Sequence, residues 1–273
     1  MVNTKPHLGW CAVAMLTVAM ACSDGSADVV LPVQPAEYSS GHADIGLAYD
    51  GQNLTVNWNF GQFAILDGAQ AGGGSDGRRV APSDAYARVP DSTRRDSKLD
   101  GFDFTGWNLN DPPAIWELPF SNQPGVPFLG LATELNPNDW EGPSTWTLVE
   151  ASMPDDGQFS LWNPAELPDF RFSTLAGFNV ENSFDLGFGG HEHVVWGFSQ
   201  AGVYDITLQV DATHREHGAK TAVGTFKFVV GDATAVPEAG TVTLLALGSL
   251  GLIVGGWHQR RRRSVAKGEA VAA

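Results

Sequence analysis

Cysteine is nearly absent. The chain of 273 residues has 2, Cys11 and Cys22, and Cys11 sits inside an apolar run near the N-terminus. If that run is removed on export, Cys22 stands alone and no intramolecular disulfide remains, so the fold must rest on its core. Basic side chains are also scarce. Between residues 22 and 235 there are 10 Lys and Arg against 29 Asp and Glu, a net of −19. Such a surface repels phosphate backbones and excludes nucleic acid as a partner. It either attracts divalent cations or is simply a well-solvated secreted surface. No stretch of useful length before residue 241 has helical periodicity, and the long apolar runs lie only at the two ends. Constellations of nucleophile, acid and base are missing too. Gly73-Gly74-Ser75-Asp76-Gly77 matches G-x-S-x-G in letters, but Arg78-Arg79-Val80-Ala81-Pro82 opens no helix after it, so a nucleophile elbow is excluded and no enzyme is expected.

What is present begins with the ends. Lys5 precedes an apolar run over residues 8–21 that closes on Ala19-Met20-Ala21, the pattern of a signal peptide cut by signal peptidase. Cys22 after small residues also fits a lipoprotein signal, although Ala19 stands where such signals carry a larger aliphatic residue. At the other end Val236-Pro237-Glu238 is followed by an apolar run over residues 241–257 and by Arg260-Arg261-Arg262-Arg263. Seventeen helical residues span roughly 26 Å, within the range of a transmembrane helix, and the arginines hold their end, with the tail 264–273, in the cytoplasm.

The middle reads as strands. Residues 22–40 suggest a flexible leader. Ile45, Leu47 and Tyr49 alternate toward one face; Asp50-Gly51 turns the chain; Leu54, Val56, Trp58 and Phe60 return it as a hairpin. His42 and Asp44 share the opposite face. The segment 84–98, where arginines alternate with acids, reads as a solvated face or long loop. Short apolar runs, Ile115-Trp116-Glu117-Leu118, Phe128-Leu129-Gly130-Leu131, Trp146-Thr147-Leu148-Val149 and Phe159-Ser160-Leu161-Trp162, are each bounded by Pro, Gly, Asn or Asp. Residues 191–198 form a further strand with His191 and His193 on one side and Val194, Trp196 and Phe198 on the other. Tyr204, Ile206, Leu208 and Val210 alternate next, a polar turn over 211–220 follows, and Phe226, Phe228 and Val230 complete a meander. The expected fold class is all-β, an antiparallel β-sandwich in one domain over residues 41–231.

Two imidazoles on one strand face are spaced to converge on one ion, but a zinc shell needs more than two ligands. His42, Asp44, His214 or His217 are the candidates to complete it. The alternative is histidines that only shape a strand end. Seven tryptophans, at 58, 107, 116, 140, 146, 162 and 196, should mostly fill the interior. Trp107 or Trp140 could instead offer a flat stacking surface to a polysaccharide.

Two resemblances follow from these residues. Val236-Pro237-Glu238, the apolar run and Arg260 to Arg263 resemble the PEP-CTERM sorting signal of Gram-negative bacteria that make exopolysaccharide, which implies processing by an exosortase-type membrane enzyme and delivery to the cell envelope. Gly41-His42-Ala43-Asp44-Ile45-Gly46, Tyr86-Ala87-Arg88-Val89-Pro90-Asp91-Ser92, Pro127-Phe128-Leu129-Gly130, Phe159-Ser160-Leu161-Trp162 and Gly190-His191-Glu192-His193 with Trp196-Gly197-Phe198 and Gly202-Val203-Tyr204 resemble the choice-of-anchor M domain of surface-anchored proteins. That resemblance covers residues 41–231 and implies a non-enzymatic surface protein. Some of the family's members sit beside metal-transport systems.

Overall fold

The computed structural model describes residues 34–73, 77–96, 98–99, 102–103, 114–164, 169–174 and 182–233. The N-terminal apolar run, Trp107, Val236-Pro237-Glu238, the apolar run 241–257 and Arg260 to Arg263 lie outside them. Among the described residues no helix is long and apolar enough to cross a membrane.

The fold is all-β. In chain order the strands are β1 (Ala36–Tyr49), β2 (Leu54–Phe60), β3 (Ile65–Leu66), β4 (Ala69–Gln70), β5 (Arg78–Val80), β6 (Ala85–Val89), β7 (Arg94–Asp96), β8 (Lys98–Leu99), β9 (Phe102–Asp103) and β10 (Ala114–Leu118). They continue as β11 (Pro127–Ala132), β12 (Trp140–Ser152), β13 (Phe159–Asn163), β14 (Asp169–Ser173) and β15 (Ser183–Leu186). The last are β16 (His191–His193), β17 (Val195–Phe198), β18 (Gly202–His214) and β19 (Gly218–Val230). A large sheet runs β15-β12-β18-β19-β6-β1-β11-β16, with β2 to β5 attached beside β1, and a smaller one runs β14-β13-β17-β10-β7.

The two sheets share one core. Trp196 on β17 lies 5.3 Å, ring to ring, from Phe228 on β19, and Phe198 lies 5.0 Å from Tyr204 on β18. Trp58, Phe60, Trp146, Phe159, Phe172 and Phe226 are also fully enclosed. Burial of each such ring stabilises the fold by about 2–3 kcal/mol, which is how the sandwich-like core closes.

Alternation explains β2, β18 and much of β19. Tyr204, Ile206, Leu208, Val210 and Ala212 on β18 are buried, and the residues between them are more exposed. The hairpin at Asp50-Gly51 forms as expected: Asp50 Oδ1 accepts from the amides of Gln52 and Asn53 at 2.8 and 2.7 Å, an Asx turn. Four features depart from the sequence reading. First, the pairing is not purely antiparallel, because β1–β11, β1–β6 and β6–β19 run parallel. Second, residues 85–89 of the segment read as a loop are β6, whose inward side chains Ala85, Ala87 and Val89 are buried but mostly too small to announce a strand. Third, residues 36–40, read as part of a flexible leader, are the start of β1, and Tyr38 among them is fully buried.

The fourth concerns residues 191–198, which are two strands and not one. β16 belongs to the large sheet and β17 to the small one, so the chain changes sheets at the buried Val194. No three-stranded meander results: β18 and β19 form a hairpin whose turn is only residues 215–217, whereas β17 pairs with β10 and β13. Burial on both sides of Val194 to Phe198 masks the break, since Val194, Val195, Trp196 and Phe198 are all apolar and all buried.

Within β1 the chain bends between Tyr38 and Ser40, where the register shifts. Gly41 adopts φ +84°, and a Cβ there would lie 2.8 Å from the Phe63 carbonyl oxygen. Tyr38 holds the bend: its hydroxyl donates to the Gly41 carbonyl at 2.6 Å and accepts from the Phe128 amide at 3.1 Å. The part of β1 after the bend, Gly41 to Tyr49, is thereby laid between β2 and β11.

Candidate metal centre

Parallel pairing of β1 with β11, and antiparallel pairing of β11 with β16, places Asp44 opposite Gly130 and Gly130 opposite His193. Ala43 and Ile45 face the core, so His42 and Asp44 are on the outer side of the sheet, where His191 and His193 also lie. Four side chains from two segments some 150 residues apart therefore meet, and each offers an atom within 4.8 Å of the others. His191 Nε2 is 3.0 Å from His193 Nε2 and 3.1 Å from Asp44 Oδ1, and His42 Nε2 is 3.4 Å from Asp44 Oδ2. Ligands about 2.0–2.1 Å from a tetrahedral zinc ion stand about 3.3 Å from one another, so these separations match the edges of such a shell.

The four side chains can crowd together because Gly130 carries none beneath them. A Cβ on Gly130 would stand 2.4 Å from Asp44 Oδ1 and 3.2 Å from His191 Nε2. Glycine in a strand interior marks a close approach, and here the approach is by the carboxylate itself. Phe128, two residues earlier on the same face, stacks on His193 with ring centroids 3.8 Å apart and planes 12° apart. Asn59, opposite Asp44 on β2, is held by Arg79, whose Nε donates to its Oδ1 at 3.0 Å.

Asp44 is 5% exposed at its side chain, yet its Oδ1 accepts no hydrogen bond; His191 approaches without the alignment of one. A buried carboxylate oxygen in that condition is costly unless a cation completes it. The Asp44 carboxylate raises the pKa of His191, by its close contact and then by its charge, against the desolvation that would lower it. His193 is driven the other way, down to about 4, chiefly by burial and secondarily by the charge of His191. His193 is therefore neutral at neutral pH and its nitrogen is available as a ligand. Glu134, exposed, places Oε1 3.8 Å from His191 Nδ1 on the outer rim.

Comparison with models of known protein families, with curated proteins and with solved structures gives no match to this chain.

Of the candidate ligands, His42, Asp44, His191 and His193 come together and the other two do not. His214 and His217 stack on each other at 4.4 Å beside Tyr49 and Trp140, where the Tyr49 hydroxyl meets His217 Nδ1 at 2.6 Å. Tyr49 is seven residues beyond His42 on β1, about 23 Å at the rise of a strand, so these histidines cannot complete the shell. His214 Nδ1 instead accepts from the amides of Glu216 and His217 and so shapes the hairpin turn. Trp140 offers no stacking platform either: it is 2% exposed and lies against Phe188. Gly130, Phe128 and Glu134 were not evident as site residues. A glycine at an outward position of an apolar strand was the available signal for the first.

Proposed function

We propose that this chain is an exported, non-enzymatic surface protein whose all-β domain binds a divalent transition-metal ion of the zinc type through His42, Asp44, His191 and His193. The observation that carries the metal reading is the convergence of three imidazole nitrogens and one buried carboxylate, a donor set that suits zinc and its neighbours better than calcium or magnesium. The partial exposure of His42 and His191, 37% and 31% at their side chains, gives a metal ion a route from solvent.

Isothermal titration of the metal-stripped protein with zinc tests this. One ion per chain is expected at micromolar or tighter affinity, and the double variant His191→Ala with His193→Ala should lose that uptake. Wild-type protein that takes up no zinc at micromolar concentration refutes the metal reading.

Export and sorting are supported by the sequence at the two ends: the signal-peptide pattern, then the PEP-CTERM-like tail with its apolar run and four arginines. By that resemblance the partners are signal peptidase and an exosortase-type enzyme, the final fold is a β-sandwich between a signal peptide and one C-terminal transmembrane helix, and the destination is the envelope or extracellular matrix. Choice-of-anchor M is the family that the domain words support. Deleting residues 236–273 should move the protein from the cell-surface fraction into the medium or periplasm. Unchanged surface retention of the shortened chain rules out the sorting role.

A further inference from the structure

Between the two ligand histidines stands Glu192, and strand alternation sends it to the opposite side of β16. There it meets the other sheet. Arg171 Nη2, from β14, donates to Glu192 Oε1 at 2.7 Å, and the two side chains are 24% and 18% exposed. The same guanidinium lies over the ring of Phe184 on β15, 5.4 Å from its centroid. Arg171 thus ties β14 of the small sheet to β15 and β16 at the two ends of the large one.

That tie bears on the metal ligands because β16 is short and lies at the edge of its sheet. It is three residues long, stands at the end of its sheet, pairs among the described residues only with β11 through Gly130, Leu131 and Ala132, and leaves the sheet at Val194. Three ladder pairs fix a strand's register but only weakly its distance and tilt, whereas ligand nitrogens must be held to within a fraction of an ångström of their places. We infer that Glu192 is a positioning residue: its ion pair with Arg171 fixes the strand that carries His191 and His193, and so sets the affinity and geometry of the metal centre without touching the ion. This rests on the metal-binding reading above.

Mostly buried, the pair is sensitive to loss of one partner, which leaves the other charge uncompensated. Glu192→Gln keeps the shape and removes the charge. Zinc affinity is expected to fall about 10-fold, as when the outer support of a ligand is lost. The absorption bands of the cobalt-substituted protein, which report coordination geometry, should shift as well; a role confined to overall stability would leave them in place. Arg171→Gln, in a residue outside the ligand set, should produce at least a similar loss, and the double variant should lose no more than Arg171→Gln alone, since both changes break the same ion pair. If Glu192→Gln does not fold, Arg171→Lys carries the test as a milder change, with a smaller loss of affinity expected. Wild-type affinity with an unchanged cobalt spectrum in the folded variants overturns the positioning role and leaves the metal reading standing. A wild-type protein that binds no zinc overturns both.

Discussion

Gly130→Ala should lower zinc affinity by about 100-fold or more, the upper end of what misplacing a ligand's support costs, while leaving the fold intact. The added methyl would stand 2.4 Å from Asp44 Oδ1, so the carboxylate must swing out of the cluster. The backbone needs to move far less. The Glu192 carbonyl oxygen would be 3.0 Å away, a tight contact that a shift of a few tenths of an ångström relieves, and Gly130 is not among the glycines at positive φ. Alanine in a strand also recovers about 0.5–1 kcal/mol of the entropic penalty of glycine, so the melting temperature should change little. Affinity and stability are thus expected to separate. Titration with zinc and thermal unfolding of the same sample read both, and a Gly130→Ala protein that binds zinc like the wild type would show that Asp44 and His191 do not act together on one ion.

Trp196→Ala is expected to have the largest effect on stability, a loss of about 3–5 kcal/mol in chemical unfolding, the usual cost of emptying an aromatic site in a core. Trp196 is fully buried, packs on Phe228 at 5.3 Å and on Phe159 at 6.0 Å, and donates its indole Nε1–H to the Leu129 carbonyl at 3.1 Å. It therefore joins β17 of the small sheet to β19 and β11 of the large one. Loss of the indole leaves a cavity and removes a donor from a buried carbonyl, and domains of this size have only about 5–15 kcal/mol in reserve. Because Leu129 precedes Gly130, the variant should also loosen the floor of the metal centre, and zinc should partly restore its stability by binding the folded state. A loss under about 1 kcal/mol would mean that the two sheets do not depend on this shared ring.

Where strands have one large apolar face, the sequence was readable. The β1–β2 hairpin and the inward side of β18 follow from alternation, and the short strands β10, β11 and β13, buried almost throughout, follow from apolar runs bounded by turn residues. β6 escaped because two of its inward side chains are alanines, and the change of sheets at Val194 escaped because residues buried on both sides lose the two-residue period. Of the site, the His42–Asp44 and His191–His193 pairs were each legible as two donors on one face. Which further donors would join them was not, and His214 and His217 were equal candidates until pairing placed them against Tyr49 and Trp140.

By itself the sequence determined the acidic surface, the all-β character and the two outward-facing donor pairs, because charge and the period of two are properties of neighbouring residues. The tertiary structure alone decided that the pairs meet. Their meeting depends on parallel pairing of β1 with β11, on β16 closing the far side, and on a glycine between them that leaves room for a carboxylate. Strand partners so distant in the chain are chosen by how the whole core closes, and no local pattern encodes that choice.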